Sequence, residues 1–220
     1  MIRVGISQRV VNLEKINESR DELDQRWTPF LQACGITPVI FPNLLSNIEE
    51  FLAAFNIQGV ILSGGNNFSS EFLEQFSHIP FETQKAMDQS IARDRFEENL
   101  LKVALKKSLP VLGVCRGMQI MNLLAGGSIR RIENHVAVRH LVRCEGQPDL
   151  DVNSFHDFGM LSEDISNEYR ICYESDDGVI ESIEHNNNLF KGIMWHPERE
   201  EIFKKSDIEI FQKLFVGENQ

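Results

Sequence analysis

Cysteine, positive charge and long apolar runs are all in short supply in this chain, and each shortage removes a class of protein. Four cysteines (Cys34, Cys115, Cys144 and Cys172) are spread over 220 residues without a CxxC pair, too few and too scattered for a disulfide framework. No apolar run reaches the roughly 18 residues of a membrane span. The opening Met1-Ile-Arg-Val-Gly-Ile-Ser7 reads as a short strand, not a signal peptide. A reducing cytoplasm is the expected compartment, with no membrane partner. Lys and Arg total 22 against 33 Asp and Glu, a net charge of -11. That balance excludes nucleic acid as a general partner, while leaving room for a local basic pocket around a small anion. The histidines lack metal-site spacing such as HExxH, so no metal and no cofactor is expected. Internal repeats, low-complexity tracts and linkers are absent too, and residues 1–220 read as one domain.

What is present begins with alternation. Strand-like segments at Arg3–Ser7, Pro38–Pro42, Gly59–Leu62 and Val111–Val114 are interleaved with helix-like ones. The spacing Ser19-x-x-Glu22 reads as a capping box opening a helix that carries Leu23, Trp27, Phe30, Leu31 and Cys34, with Pro29 as a kink or restart. Further helices are expected at Ile48–Phe55 and Asp88–Lys107. This pattern predicts an α/β fold, flavodoxin-like and doubly wound, with a mostly parallel central sheet and helices on both faces. The second half holds short strand-like runs near residues 140–144, 150–153, 170–174, 179–184 and 192–195. They predict an antiparallel extension. Ser206-x-x-Glu209 reads as a second capping box opening a terminal helix. The stretch from Phe68 to Gln89 is placed as a lid or irregular loop.

Chemistry concentrates at Pro110-Val-Leu-Gly-Val-Cys-Arg-Gly-Met-Gln119. A buried strand ends at Cys115, Gly113 and Gly117 flank it, and a helix follows. This is the arrangement of a nucleophile elbow, with sulfur as the nucleophile. The unpaired N–H groups of the helix N-terminus favour thiolate over thiol. Such a nucleophile needs a base and oxyanion donors. Trp195-His-Pro-Glu198 supplies the base His196, and Glu198, two residues on in extended chain, is positioned to orient its ring. Gly64 and Gly65 follow a buried strand and can present N–H groups. The N–H of Arg116 is the second expected oxyanion donor.

Leu62-Ser-Gly-Gly65, the Cys115 elbow and Trp195-His-Pro-Glu198, in this order, resemble the class I glutamine amidotransferase-like superfamily. Within it the chain is similar to the γ-glutamyl hydrolase (peptidase C26) branch, which includes γ-glutamyl-γ-aminobutyrate hydrolases. The resemblance implies a Cys115-His196-Glu198 triad, an oxyanion hole from Gly65 and Arg116, and Gln119 near the bound glutamyl group. Val152-Asn-Ser-Phe-His156 matches a substrate-side motif, implying contacts from Asn153, Ser154, Phe155 and His156. The following Asp157-Phe158-Gly159 departs from the branch's usual Ser-x-His-His-Gln form, so the γ-aminobutyrate specificity does not transfer. With Ile6-Ser-Gln-Arg9 and Arg20-Asp-Glu-Leu-Asp-Gln-Arg-Trp27, this departure resembles a subgroup linked to bacterial surface polysaccharides and γ-glutamyl-CDP-amidate. The implied partner is a small γ-glutamyl substrate, and a homodimer is compatible with the resemblance. A glutaminase subunit feeding ammonia to a separate synthetase would use the same chemistry. A non-catalytic binding module would not need the intact residue set.

Other residues have blander readings. Arg9, Arg20 and Arg26 follow the first strand, and Arg9 and Arg20 are candidate anion contacts. Arg93-Asp-Arg95 with Glu97-Glu98 reads mainly as exposed helix pairs. His135 and His140 read as a solvated loop, with a phosphate pocket around Arg139 as the sharper alternative. Cys34, Cys144 and Cys172 read as packing residues.

Overall fold

The computed structural model describes residues 2–76 and 90–217. In chain order the strands are β1 Ile2–Ile6, β2 Arg9–Leu13, β3 Glu18–Glu22, β4 Ile36–Ile40, β5 Gly59–Leu62, β6 Val111–Val114, β7 Arg130–Arg131, β8 Val136–Arg143, β9 Leu150–Phe155, β10 Phe158–Gly159, β11 Tyr169–Ser175, β12 Ile180–His185 and β13 Phe190–Ile193. The α-helices are α1 Trp27–Ala33, α2 Ile48–Ala54, α3 Ser70–Leu73, α4 Ile91–Lys106, α5 Arg116–Leu124 and α6 Lys205–Phe215.

Nine strands form one sheet in the order β4-β1-β5-β6-β13-β12-β11-β8-β9. The first five in that order run parallel, and the remaining neighbours pair antiparallel. This is the doubly wound, flavodoxin-like architecture with its antiparallel extension. Successive residues of the central strands serve opposite faces. Val60, Leu62 and Val111 join a core with α2, α4 and α5. Ile61, Leu112 and Val114 join a second core with Trp27, Phe30 and Phe211 of α1 and α6. Cys34 is fully buried in that second core, and burial pushes its thiol up to about 12. Cys144 and Cys172, by contrast, are only half-buried.

Three expectations are corrected. The segment after β1 is no helix: β2 and β3 pair as a hairpin, Arg9 opposite Glu22. The Ser19 hydroxyl is taken across the strands by Asn12 Oδ1 at 2.7 Å, so it caps nothing. The helix starts eight residues later at Trp27, with Pro29 in its first turn, where the missing N–H had no helical partner. Second, the run near residue 192 is antiparallel to its neighbour on one side only, β12. As β13 it lies parallel to β6, Ile193 beside Val114. Third, α6 begins at Lys205 with no side-chain cap at Lys204, so Ser206 lies inside the first turn. Helix α4 does use a serine cap, Ser90 Oγ accepting from Arg93 N at 3.2 Å. Within the stretch expected as a lid or loop, α3 buries Phe72 and Leu73; the part from 77 to 89 lies outside the described residues.

Candidate active site

The parallel placement of β13 against β6 decides the site. Two strands in register end at the same edge of the sheet, so the chain leaving Val114 at Cys115 and the chain leaving Ile193 toward His196 emerge side by side. Strand β5 flanks β6 on its other side, Leu62 beside Gly113, and delivers Ser63, Gly64 and Gly65 to the same edge. Ligands of open α/β sheets bind at this carboxyl edge.

The turn at Cys115 is strained. Its backbone sits at φ 53, ψ −108, a region a non-glycine residue occupies at a cost of about 1–3 kcal/mol. The glycines make the turn possible. A Cβ on Gly113 would stand 2.4 Å from the backbone of Gly117, and one on Gly117 would stand 2.2 Å from Leu62 O. Helix α5 starts at Arg116, leaving its first N–H groups without helical acceptors. A Cβ on Gly64 would lie 2.5 Å from His196 Cε1 and 3.4 Å from Cys115 Cβ. The imidazole and the cysteine therefore close on one point beneath the Gly64 backbone.

His196 is buried, and its Nδ1 lies 2.7 Å from Glu198 Oε1. The reach back is made through a 3-10 turn, Pro197–Arg199, with the proline at its first position, rather than through extended chain. Giving the Nδ1 proton to Glu198 leaves Nε2 for Cys115. Burial alone would lower the imidazole, but the Glu198 charge and a hydrogen bond with Cys115 outweigh it and raise His196 to about 9. Asn153 holds the histidine backbone with two bonds, Oδ1 accepting from His196 N at 2.9 Å and Nδ2 donating to His196 O at 2.8 Å.

Behind the Gly64–Gly65 loop lies a network that the charge pattern alone does not reveal. Arg93 is completely buried. Its guanidinium donates to Ser63 O at 2.6 Å, to Gly64 O at 3.1 Å and to Gly65 O. Glu97 accepts from Arg93 Nε at 2.9 Å and from Ser7 Oγ at 2.6 Å. Arg116 closes the network on Asp94 and Glu97. The expectation of exposed helix pairs is corrected for Arg93, Asp94 and Glu97, which are buried; Arg95 and Glu98 instead pair with residues outside that run, Glu71 of α3 and Lys102. The i, i+4 spacing was visible; the burial was not.

A cleft of about 250 Å³ opens over His196 and Glu198, lined by Ser63, Gly64, Gly65, Arg9, Glu22, Asp24, Trp27 and Arg199 among others. Arg9 reaches it from the hairpin, where it pairs with Glu22 at 3.2 Å. Phe155 stands beside the histidine, ring centroids 6.0 Å apart, with 40% of its surface exposed. The Arg199 guanidinium covers the same ring at 4.6 Å. Arg199 did not stand out in the sequence, and Glu22 and Asp24 entered it only in the capping-box spacing and the Arg20–Trp27 run, with no site role.

Other candidate contacts lie elsewhere. Arg20 sits outside the cleft, paired with Glu18 at 2.6 Å on the hairpin, and Arg26 is held by Asp24. Gln119 is buried and donates to Phe158 O at 2.9 Å. Ser154 Oγ donates to His135 O at 2.6 Å. His156 points the other way, its Nε2 lying 3.4 Å from the buried carboxylate of Glu181. Successive strand residues face opposite sides, so the motif from 153 to 156 cannot line one cleft throughout. The reading of His135 as part of a solvated loop is also corrected, since that ring is buried.

Comparison with known proteins places these features. The family model described as Peptidase C26 matches residues 3–142 and 132–198. Gamma-glutamyl-CDP-amidate hydrolase of Campylobacter jejuni is 29% identical over 217 residues, covering 96% of each chain. Gamma-glutamyl-gamma-aminobutyrate hydrolase of Escherichia coli O157:H7 is 24% identical, covering 89% of this chain and 84% of that one. A glutamine amidotransferase from Thermotoga maritima, known from its crystal structure, superposes with a TM-score of 0.61 at 17% identity over 96% of this chain and 83% of its own.

Proposed function

The chain belongs to the Peptidase C26 family, and on that premise we propose that it hydrolyses the amide bond of a small γ-glutamyl conjugate through a thioester on Cys115. The observation that carries the proposal is the convergence of Cys115 and His196 at the ends of adjacent parallel strands, with Glu198 bonded to the imidazole. The Cys115 thiolate attacks the γ-carbonyl carbon. The oxyanion that forms is held by the N–H groups of Gly65 and Arg116, each such donor typically worth about 3–4 kcal/mol in the barrier. His196, protonated at Nε2, gives that proton to the amine nitrogen as the C–N bond breaks. A water then loses a proton to the now neutral His196 Nε2 and attacks the thioester. Glutamate leaves, and the thiolate–imidazolium pair is restored. Glu198 keeps the ring in the required tautomer and orientation throughout.

Arg93 is the positioning residue for the oxyanion loop. A peptide's N–H points opposite its C=O, so fixing Gly64 O on Arg93 turns the Gly65 N–H away from the guanidinium and fixes the peptide plane.

The similarity to the C. jejuni hydrolase favours a cytidine-nucleotide-linked leaving group of the γ-glutamyl-CDP-amidate type. The cleft supports this division of labour. At about 250 Å³ it is smaller than the roughly 300–1,000 Å³ that encloses a drug-sized ligand. It takes the glutamyl end, and the remainder of the conjugate passes the mouth at Phe155 and Arg199. An arginine over an exposed ring offers a stacking face and a charge for a phosphate.

Incubation with a panel of γ-glutamyl conjugates, nucleotide-linked ones included, scored by glutamate release, tests the proposal. Turnover without any added protein is expected, with free glutamine a poor substrate. Preferred turnover of free glutamine, dependent on a second protein, would instead assign a glutaminase subunit.

A further inference from the structure

Strand β9 closes one edge of the sheet, with β12, β11 and β8 between it and β13. The extension nevertheless curls far enough for a β9 side chain to reach the chain that leaves β13. Asn153 is buried there, and its carboxamide makes three contacts. Oδ1 accepts from His196 N at 2.9 Å, while Nδ2 donates to His196 O at 2.8 Å and to Glu200 Oε1 at 2.9 Å. Both amide protons are thereby used. Asn153 has no donor left for a substrate, the role that the resemblance implies for it.

His196 needs such a partner. Strand β13 ends at Ile193, and Met194 N still reaches Glu181 O of β12 at 2.8 Å. Residue 196 lies past that ladder, with its backbone at φ −113, ψ 89. One carboxamide gives it the donor and the acceptor that a neighbouring strand would supply. Arg199 N also donates to His196 O, at 3.0 Å, so the carbonyl has a second partner, while the buried N–H rests on Asn153. These bonds fix the main chain that carries the imidazole, and a displacement of about 1 Å near the reacting groups can cost about 10²-fold in rate.

Glu200 sets which way round the amide lies. An ionised carboxylate only accepts, so it selects the orientation with Nδ2 toward it. The flipped amide would turn Oδ1 on the Glu200 carboxylate and the His196 carbonyl, and would set Nδ2 against the His196 N–H. Glu200 is itself held. Arg139 stands directly opposite Asn153 on β8. Its Nη1 donates to the two Glu200 oxygens at 3.0 and 3.1 Å, and its Nε and Nη2 donate to Asp151 Oδ2 at 3.1 and 3.0 Å. The β8–β9 ribbon is thus latched to the chain just after the base.

We propose that Asn153, with its amide oriented by Glu200, is the positioning residue for the general base His196. The proposal rests on the reading of Cys115 and His196 as nucleophile and base. Through this one carboxamide the antiparallel extension acts on the chemistry at the far end of β13.

Alkylation of Cys115 by iodoacetamide, read by peptide-resolved mass spectrometry between about pH 4 and 8, reports the imidazole beside the thiol without any substrate. In the full-length protein, His196→Ala is expected to slow this reaction at about pH 6, where the imidazolium–thiolate pair supplies the nucleophile. Asn153→Asp keeps the size of the side chain but turns an acceptor on the His196 carbonyl and on Glu200. It should slow alkylation at that pH by about 10-fold or more, toward the His196→Ala rate. The deficit relative to wild type should shrink as pH falls, because the introduced carboxyl regains a donor when it protonates. That recovery separates positioning from a loss of fold, which thermal melts follow in parallel. Glu200→Ala leaves Asn153 in place and should slow alkylation in the same direction but less; it decides the matter if Asn153→Asp fails to fold. Wild-type alkylation profiles in the folded variants, with His196→Ala slow, would overturn the role of Asn153 and leave the base in place. Alkylation unchanged by His196→Ala would remove the base itself, and the positioning role with it.

Discussion

Cys115 adopts a backbone conformation that only a clamped turn maintains, and His196 carries its proton far above the ordinary histidine range. Both follow from what touches them. Cys115→Ala is expected to abolish γ-glutamyl turnover, by about 10³-fold or more, with substrate binding retained; a rate assay paired with calorimetric binding checks this, and a wild-type rate would remove Cys115 from the mechanism. His196 is raised from 6.5 to about 9, so titration of its ring by NMR should show a midpoint near the upper value. Glu198→Gln removes the charge opposite the ring and should pull that midpoint down, slowing turnover less than loss of the cysteine. Arg199→Ala should raise KM for a nucleotide-linked γ-glutamyl substrate more than for a short γ-glutamyl amide, because the guanidinium stands at the mouth beside Phe155. Equal effects on both substrates would place the leaving group elsewhere.

Among the elements, the unit of β6, turn and α5 is the least tolerant of change. Gly117 lies so close to β5 that an added methyl would stand 2.2 Å from Leu62 O, a backbone atom that cannot step aside. Gly117→Ala should therefore cost about 3 kcal/mol of stability, readable in a denaturant melt. The elbow was legible in the sequence because its geometry demands glycine on both sides of Cys115, and few turns do. The β2–β3 hairpin was not. Ser19 and Glu22 carry the spacing of a capping box, yet the serine hydroxyl pairs across to Asn12, and the partner strand lies on chain that local spacing does not weigh. Helix α4 shows the same limit: the Arg93–Glu97 spacing reads alike whether the pair faces water or, as here, lies sealed behind the Gly64–Gly65 loop.

For the molecule as a whole, buried ionisable groups set how stability responds to pH. Glu97 stays below its usual range: burial raises it, but Arg116 and Arg93 lower it more. Its contribution is present above the unfolded value of 4.5 and is lost as pH falls below it. His196 acts on the alkaline side, stabilising fully below 6.5 and progressively less as pH rises through about 9. Asp207 has the opposite sign to Glu97. Burial raises it from 3.8 to about 6 even though it accepts from Trp195 Nε1 at 3.0 Å. Ionising it costs stability across that interval, so stability should already decline between about pH 4 and 6 from this group alone. Asp207→Asn keeps an acceptor for Trp195 and should flatten that part of a stability-versus-pH curve measured by thermal melts; an unchanged slope would show that Asp207 ionises at no cost.

The residue order alone determined the alternation of strands and helices, the elbow at Cys115, and the pairing of His196 with Glu198. Those features rest on local chemistry: apolar periodicity, glycine where a side chain cannot fit, and a proline that restricts the histidine before it. Which strand lies beside which was decided only in three dimensions. Strand β13, expected among antiparallel neighbours, has one in β12 but pairs parallel with β6 on its other side, and that single adjacency brings residues 115 and 196 together. The same holds for Arg93 beneath the Gly64–Gly65 loop and for His156 beside Glu181. Burial and long-range pairing are properties of the assembled sheet, and side chains dozens of positions apart meet only once its order is set.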